Sequence, residues 1–192
     1  MEDAEKRRFF PVETVAAIGE VKSVLSKREL LDALVKLARA KQLRIVDEYM
    51  TPVRRFPNLI HEELGHHFDY MVSFLICSKF SFKVDDITVD VSKFYDSANV
   101  PARFRHNLVL SIEDGILCYR NHLLQRNIGW MYPETCGERM KNRFIFPGQN
   151  GRNHFGFFTA ELFRLCAGST IYLPQIGDYD IPQSMGRCQD EK

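Results

Sequence analysis

A glutamate and a lysine two positions apart, Glu20 and Lys22, are the residues of this chain whose types and spacing best suit chemistry. They lie in an apolar segment that we interpret as a β-strand over residues 13–23. Residues two apart on a strand share a face, so the two charged side chains should point the same way while Val21 points into the core. Such a pair suits metal-assisted phosphodiester hydrolysis, in which the acid holds a divalent cation and the lysine stabilises charge developing on phosphate.

The same spacing also fits a surface ion pair on an edge strand. Against that interpretation, the residues around the pair are small or apolar: Ala16, Ala17, Ile18, Gly19, Val21, Val24 and Leu25. A strand of that composition is expected near the centre of a sheet. Burial of two charged side chains there is unfavourable, so a functional role would explain their presence. Both interpretations stay open at the level of the sequence.

A helix that could position this strand begins directly after it. Ser26 and Glu29 have the spacing of a capping box, which marks the first turn of a helix. Leu30, Leu34 and Leu37 then recur at helical spacing. We therefore predict a helix over 27–42, lying across one face of the sheet that contains Glu20.

The rest of the chain alternates between strand and helix patterns. We predict, in order, a strand over 13–23, the helix over 27–42, a short helix around 58–66, a strand over 70–78, a helix over 83–95, a hairpin over 107–119 and a helix over 155–166. The Asp114-Gly115 pair between two apolar runs is a strong hairpin signal, whereas residues 121–153 look like a long excursion. This order predicts an α/β fold with a small mixed central sheet flanked by helices.

Length and composition favour one intracellular domain. With 192 residues, of which 45% are hydrophobic, the chain can bury one substantial core. We expect a single domain over 9–180, a disordered N-terminus over 1–8 and a mobile tail over 181–192. No apolar stretch approaches the ~20 residues that cross a bilayer, and five cysteines without a C-x-x-C pair fit reduced thiols. A cytoplasmic protein without membrane contact is expected, and its oligomeric state is open.

Charge gives a local rather than a global indication of a partner. The formal net charge of +1 provides no overall electrostatic case for nucleic acid. Basic residues are nevertheless concentrated between 115 and 152: Arg120, Arg126, Arg139, Lys141, Arg143 and Arg152. Aromatic residues that could stack on bases are interleaved with or follow them: Trp130, Phe144, Phe146, Phe155, Phe157 and Phe158. We prefer a solvated loop surface for the arginines and an ordinary core for the aromatics, with phosphate binding as the alternative.

A histidine-rich stretch suggests a zinc hydrolase as a further alternative. The helix of zinc proteases needs two histidines at positions i and i+4 to place both ligands on one side. Here His66 and His67 follow His61 by five and six positions, which does not meet that requirement. A solvated loop is therefore preferred over a zinc site that uses His61, His66 or His67.

The segment from Phe10 to Ser23, with Leu25, Lys27, Glu29-Leu30, Ala33-Leu34 and Lys36 after it, resembles the DUF6602 family. These bacterial domains have a pattern similar to that of the PD-(D/E)XK nuclease-like superfamily. The apolar strand over 71–77, the hairpin and the final helix follow in the expected order. The resemblance implies a restriction-endonuclease-like fold.

The resemblance also implies roles for individual residues. Glu20 would be a metal ligand, Lys22 the catalytic lysine, and Lys36 an auxiliary basic group, with the carbonyl of Val21 as a further oxygen ligand. In such nucleases a second acid on an earlier strand completes the site, and Glu13 is the nearest substitute in this chain. Because one carboxylate holds Mg²⁺ poorly, the activity of this chain is expected to be impaired unless another acid contributes.

These observations lead to two functional hypotheses. The first is a nuclease-like domain that hydrolyses DNA or RNA with Mg²⁺ or Mn²⁺, while basic residues of 120–152 hold the nucleic acid backbone. The second is a non-catalytic remnant of the same fold that binds nucleic acid or a protein partner.

Overall fold

The structure is a computed structural model that describes residues 10–44, 46, 50–54, 66–120, 131–135, 137–148 and 151–174. Its strands and helices are β1 (Ala17–Leu25), α1 (Lys27–Gln42), β2 (Pro52–Arg54), β3 (Val72–Phe80), α2 (Ile87–Ser97), β4 (Leu108–Ser111), β5 (Gly115–Arg120), β6 (Glu134–Thr135), β7 (Glu138–Arg139), β8 (Lys141–Ile145), α3 (Gly151–Gly168) and β9 (Ile171–Tyr172). None of the described helices combines the length and the apolar character that crossing a membrane requires.

Local sequence signals define the junction between β1 and α1. The backbone N–H of Glu29 donates to Ser26 Oγ, and the backbone N–H of Ser26 donates to Glu29 Oε2 at 2.8 Å. This capping box satisfies donors that the first turn of a helix otherwise leaves without partners. The prediction of a helix over 27–42 is confirmed to the residue.

The main sheet contains five strands in the order β1-β3-β4-β5-β8. β1, β3 and β4 are mutually parallel, whereas β5 and β8 run antiparallel to their neighbours. The described part of the chain also forms two small sheets, β2-β9 and β6-β7. The α/β class with a small mixed central sheet is therefore confirmed.

Helices cover both faces of this sheet. α1 and α2 pack on one face through a core that includes Leu34, Leu75 and Val91. α3 packs on the other face, where Phe158 joins Leu108 and further apolar residues of β4 and β5. β3 contributes to both cores, which confirms the prediction of a strand buried on both sides.

Two predictions about β1 are wrong. β1 is an edge strand rather than a central one, because β3 is its only neighbour among the described strands. Val21 does not enter the core; its side chain is 71% exposed. The physical reason is that α3 lies over β4 and β5 and leaves the Val21 face of β1 uncovered by described residues.

Other predictions hold with shifted bounds. The strand predicted over 13–23 begins later, because residues Val12–Thr14 form a 3₁₀ turn. The hairpin and the helices over 83–95 and 155–166 are confirmed. The predicted excursion over 121–153 contains three strands, β6, β7 and β8, which sequence patterns did not reveal. The short helix around 58–66 falls almost entirely outside the described residues, as do 1–8 and 181–192.

Candidate functional site

The structure brings together Glu20, Lys22 and Lys36, which we call the Glu20 cluster. Glu20 and Lys22 lie on the face of β1 that α1 covers, and Lys22 Nζ is 2.8 Å from Glu20 Oε1. Lys36 on α1 places its Nζ 3.3 Å from Glu20 Oε2, which is ion-pair distance without hydrogen-bond geometry. The predicted proximity of Lys36 to the pair is therefore present.

The electrostatics of the cluster keep its acid ionised. The hydrogen bond from Lys22 is the main cause that lowers the pKa of Glu20, and partial burial opposes it. The same hydrogen bond raises the pKa of Lys22. The Glu20 side chain is 15% exposed, and the Lys22 and Lys36 side chains are 47% and 74% exposed. Because both lysines reach solvent, this is a surface ion-pair cluster of low energetic value.

A divalent metal does not fit the described residues around Glu20. Both carboxylate oxygens face ammonium groups, and the described residues hold no cluster of three or more His, Cys, Asp or Glu side chains that could bind a metal. Mg²⁺ is usually held by one or two carboxylates together with waters and substrate phosphates. The Val21 carbonyl adds no charge that would compensate for a missing acid.

Glu13, the predicted second acid, lies in the 3₁₀ turn before β1. It is 6% exposed, and its carbonyl accepts a hydrogen bond from Arg44. At the rise of a strand, the three steps from Ala17 to Glu20 alone span about 10 Å, and Glu13 precedes Ala17. The assignment of Glu13 to a metal site with Glu20 stays a prediction.

A second candidate site, which we call the basic groove, lies at the opposite edge of the sheet. It runs between α2 and β8 and encloses about 420 Å³. Its lining residues are mainly basic or neutral polar: Thr88, Ser92, Lys93, Arg139, Lys141, Asn142 and Arg143, with Val89, Met140 and the single acid Asp96. In the register with β5, Lys141 and Arg143 alternate with Phe144 and so lie at the rim of the groove, on the sheet face that carries Cys118. Four cations against one carboxylate make this groove attractive to anions.

Asp96 binds two arginines at one end of the groove and holds one of them in place. Its Oδ1 accepts hydrogen bonds at 2.7 Å from Nη2 of Arg105 and at 2.7 Å from Nη2 of Arg139. These two hydrogen bonds lower the pKa of Asp96, the one from Arg105 being the larger cause. Arg105 is itself buried and also donates to the Val100 carbonyl, so Arg139 is anchored through Asp96 to the folded core.

An exposed aromatic ring follows the groove along β8. Phe146 is 64% exposed, and its ring contacts that of Phe144 edge-on at 5.2 Å. Phe144 packs against the core beneath α1 and α2. The preference for ordinary core aromatics thus holds for Phe144, Phe157 and Phe158. It is wrong for Phe146 and for Phe155, which is 48% exposed.

The remaining basic residues divide between the groove and other surfaces. Arg120 pairs with Lys141 in the register of β5 and β8, so it lies near the groove. Arg152 stands at the start of α3, and Arg126 falls outside the described residues. Lys93, Thr88 and Ser92 were not predicted from the sequence, because only the packing of α2 beside β8 brings them to the groove. The available signal was the spacing of four between Thr88 and Ser92 on α2.

The Glu20 cluster and the basic groove are separate sites. They lie at β1 and β8, four strand spacings apart, which corresponds to about 19 Å. A single substrate that engaged both would have to extend across the sheet, with α1 and α2 above it. The structure therefore does not combine Glu20 and the basic residues into one compact active centre.

The histidine-rich stretch is partly described. His67 is buried rather than in a solvated loop, and burial lowers its pKa to about 3. Its ring packs at tilted angles against those of His66, Phe68 and Tyr132. His61 lies outside the described residues, so the zinc alternative is supported by no cluster that the structure describes.

Comparison with known proteins adds no family assignment: no family model matches this chain, and no curated protein gives a significant match. The resemblance to the DUF6602 family and to the PD-(D/E)XK superfamily stays a prediction.

Proposed function

We propose that this chain binds nucleic acid through the basic groove, in line with the non-catalytic hypothesis. The observation that carries the proposal is that four basic residues, Lys93, Arg139, Lys141 and Arg143, all line one groove at an edge of the sheet, in a chain whose net charge is only +1. Neutralisation of phosphates by such side chains supplies most of the affinity in nonspecific binding.

An exposed aromatic ring beside β8 favours a single strand over a duplex, because the bases of a duplex are already stacked on one another. Lys141 and Arg143 are two residues apart, about 6.7 Å along the strand, which resembles the separation of successive phosphates on an extended nucleic acid strand. Phe146 follows β8 and offers an exposed ring beside Phe144, on which a base can stack. A positive groove with an aromatic platform is the usual arrangement for binding single strands without strict sequence preference.

Titration of fluorescently labelled single-stranded DNA and RNA at several salt concentrations tests the proposal. Affinity should fall as salt rises, and Arg143→Ala should reduce the slope of log K against log salt by about 0.7. Arg28→Ala is the matched control, because it removes the same charge from a side chain that is 92% exposed on α1. Equal effects of the two variants would refute a role for the groove.

The aromatic platform has its own pair of variants. Phe146→Ala should weaken binding by about 1–3 kcal/mol, the usual contribution of one stacked base. Phe163→Ala removes a ring that is 77% exposed on α3 and should leave the affinity unchanged. If both variants bind like the wild type, bases do not stack at Phe146.

A second candidate is Mg²⁺- or Mn²⁺-dependent hydrolysis of DNA or RNA at the Glu20 cluster. The observation that favours it is the position of Lys36 beside Glu20 and Lys22, as the resemblance implies. Since the described residues do not complete a metal site, this function needs an acid from elsewhere. Metal-dependent cleavage that is lost in Lys22→Ala and kept in Arg28→Ala would support it; no cleavage by the wild type would leave binding alone.

The proposed setting is cytoplasmic. Cys77, Cys118 and Cys166 are free thiols, and burial raises the pKa of Cys77 to about 11 and that of Cys118 to about 12. Thiols of this kind are inert structural side chains rather than catalytic or disulfide-forming ones.

A further inference from the structure

The outer edge of β1 is a long strand edge with exposed apolar residues. β1 has nine residues and pairs only with β3 among the described strands. Val21 and Val24 are 71% and 42% exposed. Proteins generally shorten, cover or charge such edges, because an unpaired edge is a template for adding another strand.

The hydrogen bonds of β1 show which backbone groups face this edge. The Ala16 carbonyl accepts a hydrogen bond from the backbone N–H of Val72, at 3.0 Å, and the register with β3 is regular from Ala17 to Lys22. Backbone groups alternate in direction along a strand, so those of Glu20 and Lys22 also face β3. The N–H and C=O of Val21 therefore face outward.

The charged residues on either side of Val21 would pair with each other if two copies of β1 met in an antiparallel arrangement. In an antiparallel pair of two β1 strands with Val21 opposite Val21, Glu20 of each copy lies opposite Lys22 of the other. Because the Val21 groups face outward, Val21 forms the hydrogen-bonded pair and Glu20 and Lys22 form the flanking non-hydrogen-bonded pairs, whose side chains are closest. We propose that this chain forms a two-fold homodimer through β1, which joins the two sheets into one.

The position of α1 is compatible with this dimer. α1 packs equally on β1 and β3, so its axis lies between them, about half a strand spacing from β1. The two-fold axis of the dimer lies on the other side of β1, half a strand spacing from it. The two α1 axes would then be about 10 Å apart, which is the usual distance between packed helices. The basic groove is at the opposite edge, so the dimer leaves it open on each copy.

Charge reversal on the full-length chain, measured by sedimentation velocity over a wide concentration range, tests the dimer. Glu20→Lys and Lys22→Glu each place like charges opposite each other twice and should weaken the dimer on the order of tenfold. An equimolar mixture of the two variants restores opposite charges at both positions and should dimerise again. The double variant Glu20→Lys/Lys22→Glu should dimerise as the wild type does.

A backbone variant provides an independent test. Val21→Pro removes an outward N–H and should abolish the dimer while keeping the β1–β3 pairing, because proline is tolerated on the open side of an edge strand. Its far-UV circular dichroism should match that of the wild type. The proposal is overturned if the wild type stays monomeric at the highest concentration, or if it dimerises and the single charge variants and Val21→Pro dimerise equally well.

Discussion

Lys41 is a buried lysine whose hydrogen-bond partners are both neutral oxygens. Its Nζ donates to the Arg105 carbonyl at 2.9 Å and to Asn107 Oδ1 at 3.1 Å, and the residue is 1% exposed. Burial lowers its pKa from 10.5 to about 7. Between those two values the unfolded chain binds more protons than the folded one, so stability rises with pH through this window.

The size of the effect follows from that difference in pKa. With one pKa unit worth 1.36 kcal/mol, raising the pH from about 6 to about 9 should add about 2.7 kcal/mol to the free energy of unfolding through Lys41 alone. For a chain of this length the gain corresponds to roughly 5–10 °C in melting temperature. Lys41→Met removes the titrating group and should remove this part of the pH dependence.

Urea unfolding followed by far-UV circular dichroism, at several pH values, measures the effect. For each variant, the free energy of unfolding is plotted against pH. The slope for Lys41→Met is subtracted from the slope for the wild type, which removes the contributions of other titrating groups. Lys83→Met, on an exposed lysine, is the matched control and should keep the wild-type slope. Parallel profiles for the wild type and Lys41→Met would refute a depressed pKa at Lys41.

Two further predictions concern stability. Gly19→Ala should lower the free energy of unfolding by about 1–3 kcal/mol, because a Cβ at Gly19 would clash with the Phe74 ring. At Gly156 in α3 a Cβ would meet open space, so Gly156→Ala should leave the free energy of unfolding unchanged or raise it by up to about 1 kcal/mol. Thermal melts of both variants check the pair, and equal melting temperatures would contradict the steric argument. Asn107 accepts a hydrogen bond from the backbone N–H of Ser73 at 2.9 Å and donates one to the Met131 carbonyl at 2.9 Å. Asn107→Leu leaves both backbone groups without this partner and should lower the free energy of unfolding, measured in urea, by at least about 2 kcal/mol. A decrease below about 0.5 kcal/mol would show that these groups find other partners.

Within the candidate site, the sequence correctly predicted that the charged residues of β1 and α1 lie together, but not where β1 lies in the sheet. Glu20, Lys22 and Lys36 do meet, because strand periodicity and a capped helix immediately after the strand constrain their positions locally. Their exposure was misjudged: an apolar composition indicates a strand but does not say which strands flank it. The basic groove was anticipated only as a local excess of arginine and lysine, since its other wall comes from α2, which lies about fifty residues earlier in the chain.

By itself the sequence determined the short-range features of this protein. The capping box of Ser26 and Glu29, the Asp114-Gly115 turn and the apolar periodicity of α1 and α2 each depend on neighbours within a few positions, so they can be inferred without knowledge of the fold. Tertiary structure alone decided that β1 lies at the edge of the sheet and that β8 lies beside α2, because strand order results from long-range packing that no local pattern encodes.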